Sequence, residues 1–293
     1  MYSIIGVTGH VGGMVAAKLQ EAGLHFKAVV RNESRAMELE SKGWQTAVAE
    51  LHDVGALTKA FSNTQGVFVM TPPLLESADP VGEHDRMLKA LSTAIDAAKP
   101  GKLVYLSSVG AQHPLETGAI RKLYEMEQTF NKLSLPTASI RAAWFMENFV
   151  GQIGAVASGS PLMSFVDPAS KKIPMVATSD IGKLGAQLLQ QNWIGHRVVE
   201  LEGPCTYSVA DVAMVLRYHL DKEVRVGLIA EAEYELAYKS FGFSDKGAKL
   251  MAEMNRGFNS DHIVFERGSR EQVQGETLLE DCLAKYIRKV VGN

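Results

Sequence analysis

The ten residues "IIGVTGHVGG" (4–13) decide how the rest of the chain is read. Ile4 and Ile5 close a short apolar run, and Gly6, Gly9 and Gly12 then recur every third residue as a helical pattern begins. A strand that stops at a glycine turn and re-enters as a helix leaves the first N–H groups of that helix unpaired, with the positive end of its dipole facing the turn. Such a turn is an anion site. The three glycines have separate jobs: one makes the turn, one lets a diphosphate approach the backbone, and one lets helix pack closely on strand. The motif gains its force from lying inside a strand–helix–strand unit of about 30 residues, and a second apolar run, "HFKAVV" (25–30), follows at that distance.

Outward from this stretch the same alternation continues. Short apolar runs at 2–7, 25–30, 45–49, 66–70, 102–107 and 137–141 read as buried strands, and helical spacing falls between them at about 11–23, 33–42, 53–62, 82–98 and 118–133. Strands alternating with helices over short links predict an α/β fold, a Rossmann-type doubly wound parallel sheet. After about residue 142 the pattern changes: "AWFMENFVGQIGAVA" is apolar on nearly all sides and a turn-rich stretch with Pro161, Pro168 and Pro174 follows. "TSDIGKLGAQLLQQ" reads as a helix capped by Ser179 or Asp180, "RVVELEG" (197–203) as a strand, and "SVADVAMVLRYHL" (208–220) as a helix capped by Ser208. We therefore expect a dinucleotide-binding domain over 1–150, to which 179–204 returns, and a smaller, mostly helical lobe over 151–293.

Composition removes several function classes. The 293 residues carry 30 Lys and Arg against 33 Asp and Glu, a formal charge of -3, with no dense basic run, so direct nucleic-acid binding is not expected. No apolar run of 18 residues occurs, the start lacks the features of a secretory signal, and Cys205 and Cys282 are the only cysteines. The expectation is a reduced, cytoplasmic protein with no membrane partner and no disulfide framework. The eight histidines are dispersed and give no metal-ligand spacing.

The segment "GVTGHVG" (6–12) places Thr8 where the common dinucleotide fingerprint has its middle glycine, and resembles the "GATGxxG" signature of the NmrA-like group of atypical short-chain dehydrogenase/reductases. The likeness continues through "VVRNESRA", "LVYLSSVGA", "IRAAWFMENF", "TSDIGKLGAQLL" and "VVELEGPCTYSVADVA", weakening after about residue 230; Val7 replaces the usual alanine. The resemblance implies a bound dinucleotide on Gly6, Thr8, Gly9, His10, Val11 and Gly12. It implies contacts to adenine from Glu50 and Leu51, and to the pyrophosphate and nicotinamide ribose from Thr71 and Pro72 in "MTPP" (70–73).

The second strand tells which dinucleotide to expect. Sites for NAD usually end this strand with an acid that accepts from the ribose hydroxyls. Here it ends "VVRNESR", with Arg31 25 residues beyond Gly6 and Arg35 close behind. A guanidinium grips a 2′-phosphate that a carboxylate would repel. A charge-assisted contact of ~1.5–3 kcal/mol favours NADP(H) over NAD(H) by roughly 10- to 100-fold.

The catalytic centre is less marked. The Tyr-x-x-x-Lys pair of short-chain dehydrogenases occurs once, at Tyr218 and Lys222, far from the helix that should carry it, and reads as a decoy. In the expected helix, "AIRKLYEMEQTF", Tyr124 is followed four residues on by Gln128. Lys122 stands one residue off the position where the family carries a Lys or His near the nicotinamide, and is the candidate catalytic and cofactor-side group. Ser107 and Ser108 follow the fifth strand within reach of ligand, though both also suit a turn; His113 is a further proton-donor candidate. Trp144, Phe145 and Phe149 would form a flat apolar wall, with Asn148 as polar anchor; the same residues at that spacing also suit a core. Without a strong acid, reduction of a small electrophile, quinone-like before any other, is easier than alcohol–ketone exchange, because the charge formed is delocalised. The alternative is an NADP(H)-sensing regulator that signals to a protein partner without turnover. A homodimer is open in either reading.

Overall fold

The computed structural model describes residues 1–268 and 270–292. Its first half follows the predicted alternation. Strands β1 (Tyr2–Ile5), β2 (Phe26–Val30), β3 (Gln45–Val48), β4 (Gly66–Val69), β5 (Leu103–Ser108) and β6 (Thr137–Ala142) are separated by helices α1 (His10–Glu21), α2 (Glu33–Glu40), α3 (Val54–Phe61), α4 (Pro80–Ala98) and α5 (Arg121–Phe130). Beyond them come β7 (Trp144–Phe145), a 3₁₀ stretch Met146–Gln152, α6 (Ile153–Ala157), β8 (Leu162–Ser164), β9 (Ile173–Val176) and α7 (Thr178–Gln190). The chain then forms β10 (His196–Glu202), β11 (Thr206–Tyr207), α8 (Val209–Leu220), β12 (Val226–Leu228), α9 (Tyr234–Ser240), α10 (Asp245–Asn259), β13 (Glu271–Gln274) and α11 (Leu279–Val291).

Eight strands make one sheet in the order β13-β10-β6-β5-β4-β1-β2-β3, every pair parallel. Alternation of side chains sorts the strands' apolar residues onto two faces. Ile4, Ala28, Phe68 and Val104 join one core cluster with α1 and α7, while Ile5, Val29, Val67, Val69 and Leu103 join another with α3, α4 and α5. A fully buried aliphatic side chain contributes about 1.5–3 kcal/mol, so the two faces supply the main driving force. On the first face, α7 crosses α1 at close range: a Cβ on Gly182 would lie 2.4 Å from the Met14 Cβ, and one on Gly185 2.9 Å from the Phe68 ring. Small residues here let the two helices share one face of the sheet.

Residues 271–274, read from sequence as part of a mostly helical lobe, instead form the eighth strand, β13, paired with β10 from Val199↔Glu271 to Glu202↔Gln274. Its sequence, "EQVQ", has one apolar residue because it is an exposed edge, so no buried run marks it. The remaining lobe has a separate apolar core of Met146, Ile153, Val209, Leu216 and Leu283 among others. Ser208 caps α8 with the reciprocal bonds of a capping box to Asp211. The cap expected at α7 differs. Its N-cap is Ala177, and the Thr178 N–H and hydroxyl donate to the Glu147 carboxylate at 3.0–3.1 and 2.6 Å. Asp180 accepts from the Thr277 N–H and hydroxyl at 2.9 and 2.8 Å, and the Ser179 hydroxyl lies 3.4 Å from that of Thr277. Both tie α7 to the segment leading into α11 because a remote carboxylate already satisfies the helix start.

Candidate functional site

The sheet order puts β1 beside β4, the point where successive connections turn to opposite directions and opposite faces, and the crevice outside the carboxyl ends of such strands is where open α/β sheets bind ligands. The loops after β1 and β4 meet there: a Cβ on Gly6 would lie 2.6 Å from the Met70 sulfur. Gly6 has φ +82°, in the left-handed region that glycine enters freely. Gly12 is required by packing, since its Cβ would fall 2.3 Å from the Gly6 carbonyl oxygen. Gly9 is the N-cap of α1 and offers no side chain to the helix start. The N–H groups of the first turn are therefore available, and Thr8, Gly9 and His10 are exposed above them. The Val11 side chain is buried, so that residue offers its backbone alone. This cradle fits a diphosphate: a bare backbone concavity at the positive end of a helix.

The His10 ring meets Tyr286 of α11 edge-on, with centroids 5.9 Å apart, so the C-terminal helix borders the glycine loop. At the end of β2, Arg31 is exposed and its side chain makes no ion pair or hydrogen bond among the described residues. Arg35 is paired with Glu38, whose carboxyl is held below the usual range by Lys42 and Arg35. Glu50 is exposed beyond β3, and Leu51 packs against the second sheet-face core. Thr71, beyond β4, has its hydroxyl oxygen buried with no partner among the described residues. Sheet order thus lays these groups along one edge.

The centre of that edge is built differently from the sequence expectation. The Lys122 ammonium donates to the Pro73 carbonyl at 2.8 Å and reaches the Pro72 carbonyl at 3.4 Å. Burial pushes it down to about 8. The Ser107 hydroxyl, 2% exposed, donates to Glu127 at 2.6 Å, which in turn holds Arg141. Ser108 donates to the neighbouring Val109 carbonyl. His113 stacks on His262 at 4.4 Å, and burial, then His262, lowers its pKa. Trp144 and Phe145 are half-buried after β6; the Trp144 ring stands edge-on to Phe258 at 4.9 Å, and its indole nitrogen is buried without a partner among the described residues. Phe149 belongs to the core of the lobe and Asn148 is exposed, while the half-buried Trp144 and Phe145 pack against the sheet-side core, Trp144 touching the lobe core as well. Tyr218 is 76% exposed on α8, and Lys222 donates to the Ala157 carbonyl, which places this pair on the surface of the lobe.

Two groups escaped the reading. His84 is 1% exposed with neither ring nitrogen bonded among the described residues, and burial, helped by Lys122, lowers its pKa to about 4. Its position at the head of the apolar face 84, 87, 88, 91, 95 of α4 was the available signal. The Glu127–Arg141 pair shows only as an arginine in an otherwise small and apolar strand, "TASIRA". No described helix is long and apolar enough to cross a membrane.

Comparison with known proteins agrees with this geometry. The chain is 28% identical over 256 residues to an NAD(P)H azoreductase of Xenophilus azovorans, covering 87% of this chain and 86% of that protein. It is 26% identical over 260 residues to quinone oxidoreductase 2 of Escherichia coli K12, covering 88% and 87%. A crystal structure of an NADPH-dependent quinone oxidoreductase from Escherichia coli, complexed with NADPH, superposes with a TM-score of 0.76 at 23% identity, covering 100% of this chain and 95% of that one. The profile of the NmrA-like family matches residues 2–290, and the chain belongs to that family.

Proposed function

We propose that this protein is an NAD(P)H-dependent oxidoreductase that prefers NADPH and reduces a small planar electrophile, quinone-like before any other. The observation that carries the reading is the glycine cradle at residues 6–12, closed by contact between Gly6 and Gly12 and open to a diphosphate at the uncapped start of α1. Relatives named for NAD(P)H-dependent azo and quinone reduction support it. Gly6, Thr8, Gly9, His10, Val11 and Gly12 hold the diphosphate; Arg31, with Arg35 beside it, receives the 2′-phosphate; Glu50 and Leu51 flank the adenine; Thr71 and Pro72 border the nicotinamide ribose. The bound coenzyme supplies hydride.

The chain's own contribution is orientation and exclusion of water. Trp144 and Phe145 give a flat surface, and the unpaired indole N–H of Trp144 is a donor matched to a carbonyl-type oxygen of the acceptor. Lys122 acts as a positioning residue: by holding the Pro72 and Pro73 carbonyls it fixes the turn against which the ribose lies. Ser107 serves through Glu127 in the same way, by fixing the end of β5.

The deciding experiment offers the purified protein NADPH and NADH with a panel of benzoquinones, naphthoquinones and azo dyes, following absorbance of the reduced coenzyme. Turnover faster with NADPH is expected, and Trp144→Ala should raise KM for the acceptor. Saturable NADPH binding with no turnover on any acceptor would overturn the reductase reading in favour of a redox sensor with a protein partner.

A further inference from the structure

A cavity of about 60 Å³ lies between the Pro72–Pro73 turn, the start of α4 and the start of α5, lined by Pro73, Leu75, Pro80, His84, Lys122 and Leu250 among others. Measured against the 10–15 Å³ that one water occupies on this scale, it has room for about four or five non-hydrogen atoms. Two features show that its polar lining is incomplete. Lys122 is half-buried, yet among the described residues it meets only two carbonyl oxygens and no carboxylate within ion-pair distance. His84, 1% exposed, has both ring nitrogens unbonded. A half-buried cation without a counter-ion and a buried imidazole without a partner, both among the described residues, carry a desolvation cost that a ligand would relieve.

We propose that this cavity binds a small carboxylate, with its anion on the Lys122 ammonium and the His84 ring N–H and its alkyl part against Leu75, Pro80 and Leu250. The one acid in the lining, Glu125, is engaged by Arg121 at 3.1 Å; it and the neighbouring Asp85 each place a carboxylate oxygen within 4.8 Å of a His84 ring nitrogen, so the Lys122 ammonium, which neither reaches at ion-pair distance, carries the attraction for the ligand. Apart from Arg121, which is paired with Glu125, the rest of the lining is apolar and selects against strongly hydrated inorganic anions. The carboxylate comes from one of two sources: a free short-chain acid, or a carboxyl substituent on the electrophile, since Lys122 lines the cavity and also holds the Pro72 carbonyl assigned above to the nicotinamide ribose. The second source rests on the reductase reading; the site itself does not.

The test is proton–nitrogen NMR of the histidine rings in the full chain, with the His84 signal assigned by its loss in His84→Gln. Propionate should shift that signal saturably below about 50 mM; propionamide, the same size without charge, should not. Lys122→Met should abolish the effect and Lys122→Arg should retain it, with far-UV circular dichroism and the urea midpoint showing that each variant is folded. No saturable shift, an equal shift with propionamide, or a shift unchanged in folded Lys122→Met overturns the site. Propionate competing with a carboxyl-substituted quinone but not with its uncharged parent assigns the site to the substrate. Propionate binding without such competition assigns it to a free acid. A wild-type chain that turns over NADPH but does not bind propionate would count against the site alone, whereas absence of turnover with propionate binding preserved would count against the reductase reading alone.

Discussion

Arg141 on β6 and Glu127 on α5 are joined by two parallel hydrogen bonds, Nε to Oε1 at 3.0 Å and Nη2 to Oε2 at 2.7 Å, with both side chains under 5% exposed. The remaining groups are also engaged. Ser107 donates to Glu127, Glu266 accepts from Arg141 at 2.7 Å, and Glu200, with an oxygen 3.9 Å from Arg141, takes the N–H groups of Glu266 and Arg267. One guanidinium therefore fixes β5, β6, β10, α5 and the segment that leads to β13, directly behind the loops that carry the proposed site.

Removing that guanidinium leaves Glu127 and Glu200 buried without a counter-charge. Breaking a buried pair from one side costs about 3–5 kcal/mol, so Arg141→Met should lower the urea unfolding free energy by that order. Glu127→Gln should cost less, since Arg141 keeps Glu266. Equal losses in the two variants would show that the network is not centred on the arginine.

The glycine loop separates stability from binding. Gly12→Ala drives a methyl against the Gly6 carbonyl, 2.3 Å from the new carbon, and overpacking of this kind costs about 1–3 kcal/mol. Gly9 is extended, with φ -96° and ψ 172°, and its added carbon would stand 3.4 Å from that oxygen. Gly9→Ala should change stability by no more than about 1 kcal/mol while weakening NADPH by about tenfold or more. Thermal unfolding beside equilibrium binding of NADPH checks both; a Gly9→Ala protein that binds normally would remove the diphosphate from this loop.

How much of this was legible in sequence follows from how local each cause is. The sheet's first six strands and five helices could be read because each has its own buried run or apolar stripe, and Gly6, Gly9 and Gly12 act within one turn of chain. β13 could not, because an edge strand needs no apolar signature. The α7 cap could not, because the acceptor, Glu147, lies 31 residues from Thr178. Lys122 was found by its place in the helix, but its direction is set by carbonyls about 50 residues away. Phe149 and Trp144 look alike in "AWFMENF", and only tertiary packing buries one within the lobe core and leaves the other half-buried between the two cores, edge-on to Phe258 of α10.

Coenzyme choice rests on Arg31. Its guanidinium is exposed and unpaired, so Arg31→Ala should leave the fold and NADH affinity unchanged. NADPH affinity should fall roughly 10- to 100-fold, the equivalent of ~1.5–3 kcal/mol, as read by titration with each coenzyme. If the NADPH-to-NADH ratio did not move, the 2′-phosphate would have to lie elsewhere, and Arg35, tied to Glu38, is a poor substitute.

His84 gives the fold an acid limit that can be assigned to one ring. Burial, then the nearby Lys122 charge, holds its pKa at about 4 against an ordinary 6.5. Above pH 6.5 the imidazole is neutral in folded and unfolded chains, and it adds no pH dependence. Between 6.5 and about 4 the unfolded chain takes up a proton that the folded chain refuses, so stability falls as pH falls. Below about 4 the loss is complete, at roughly 3 kcal/mol. Because neither ring nitrogen has a partner, His84→Phe forfeits no hydrogen bond and should be neutral or stabilising at pH 7.5. Urea unfolding at pH 7.5, 5.5 and 4.5 for both proteins subtracts the carboxylates they share. The variant should show a flatter decline over this interval, and parallel curves would mean that the ring is protonated, or solvated, in the folded chain.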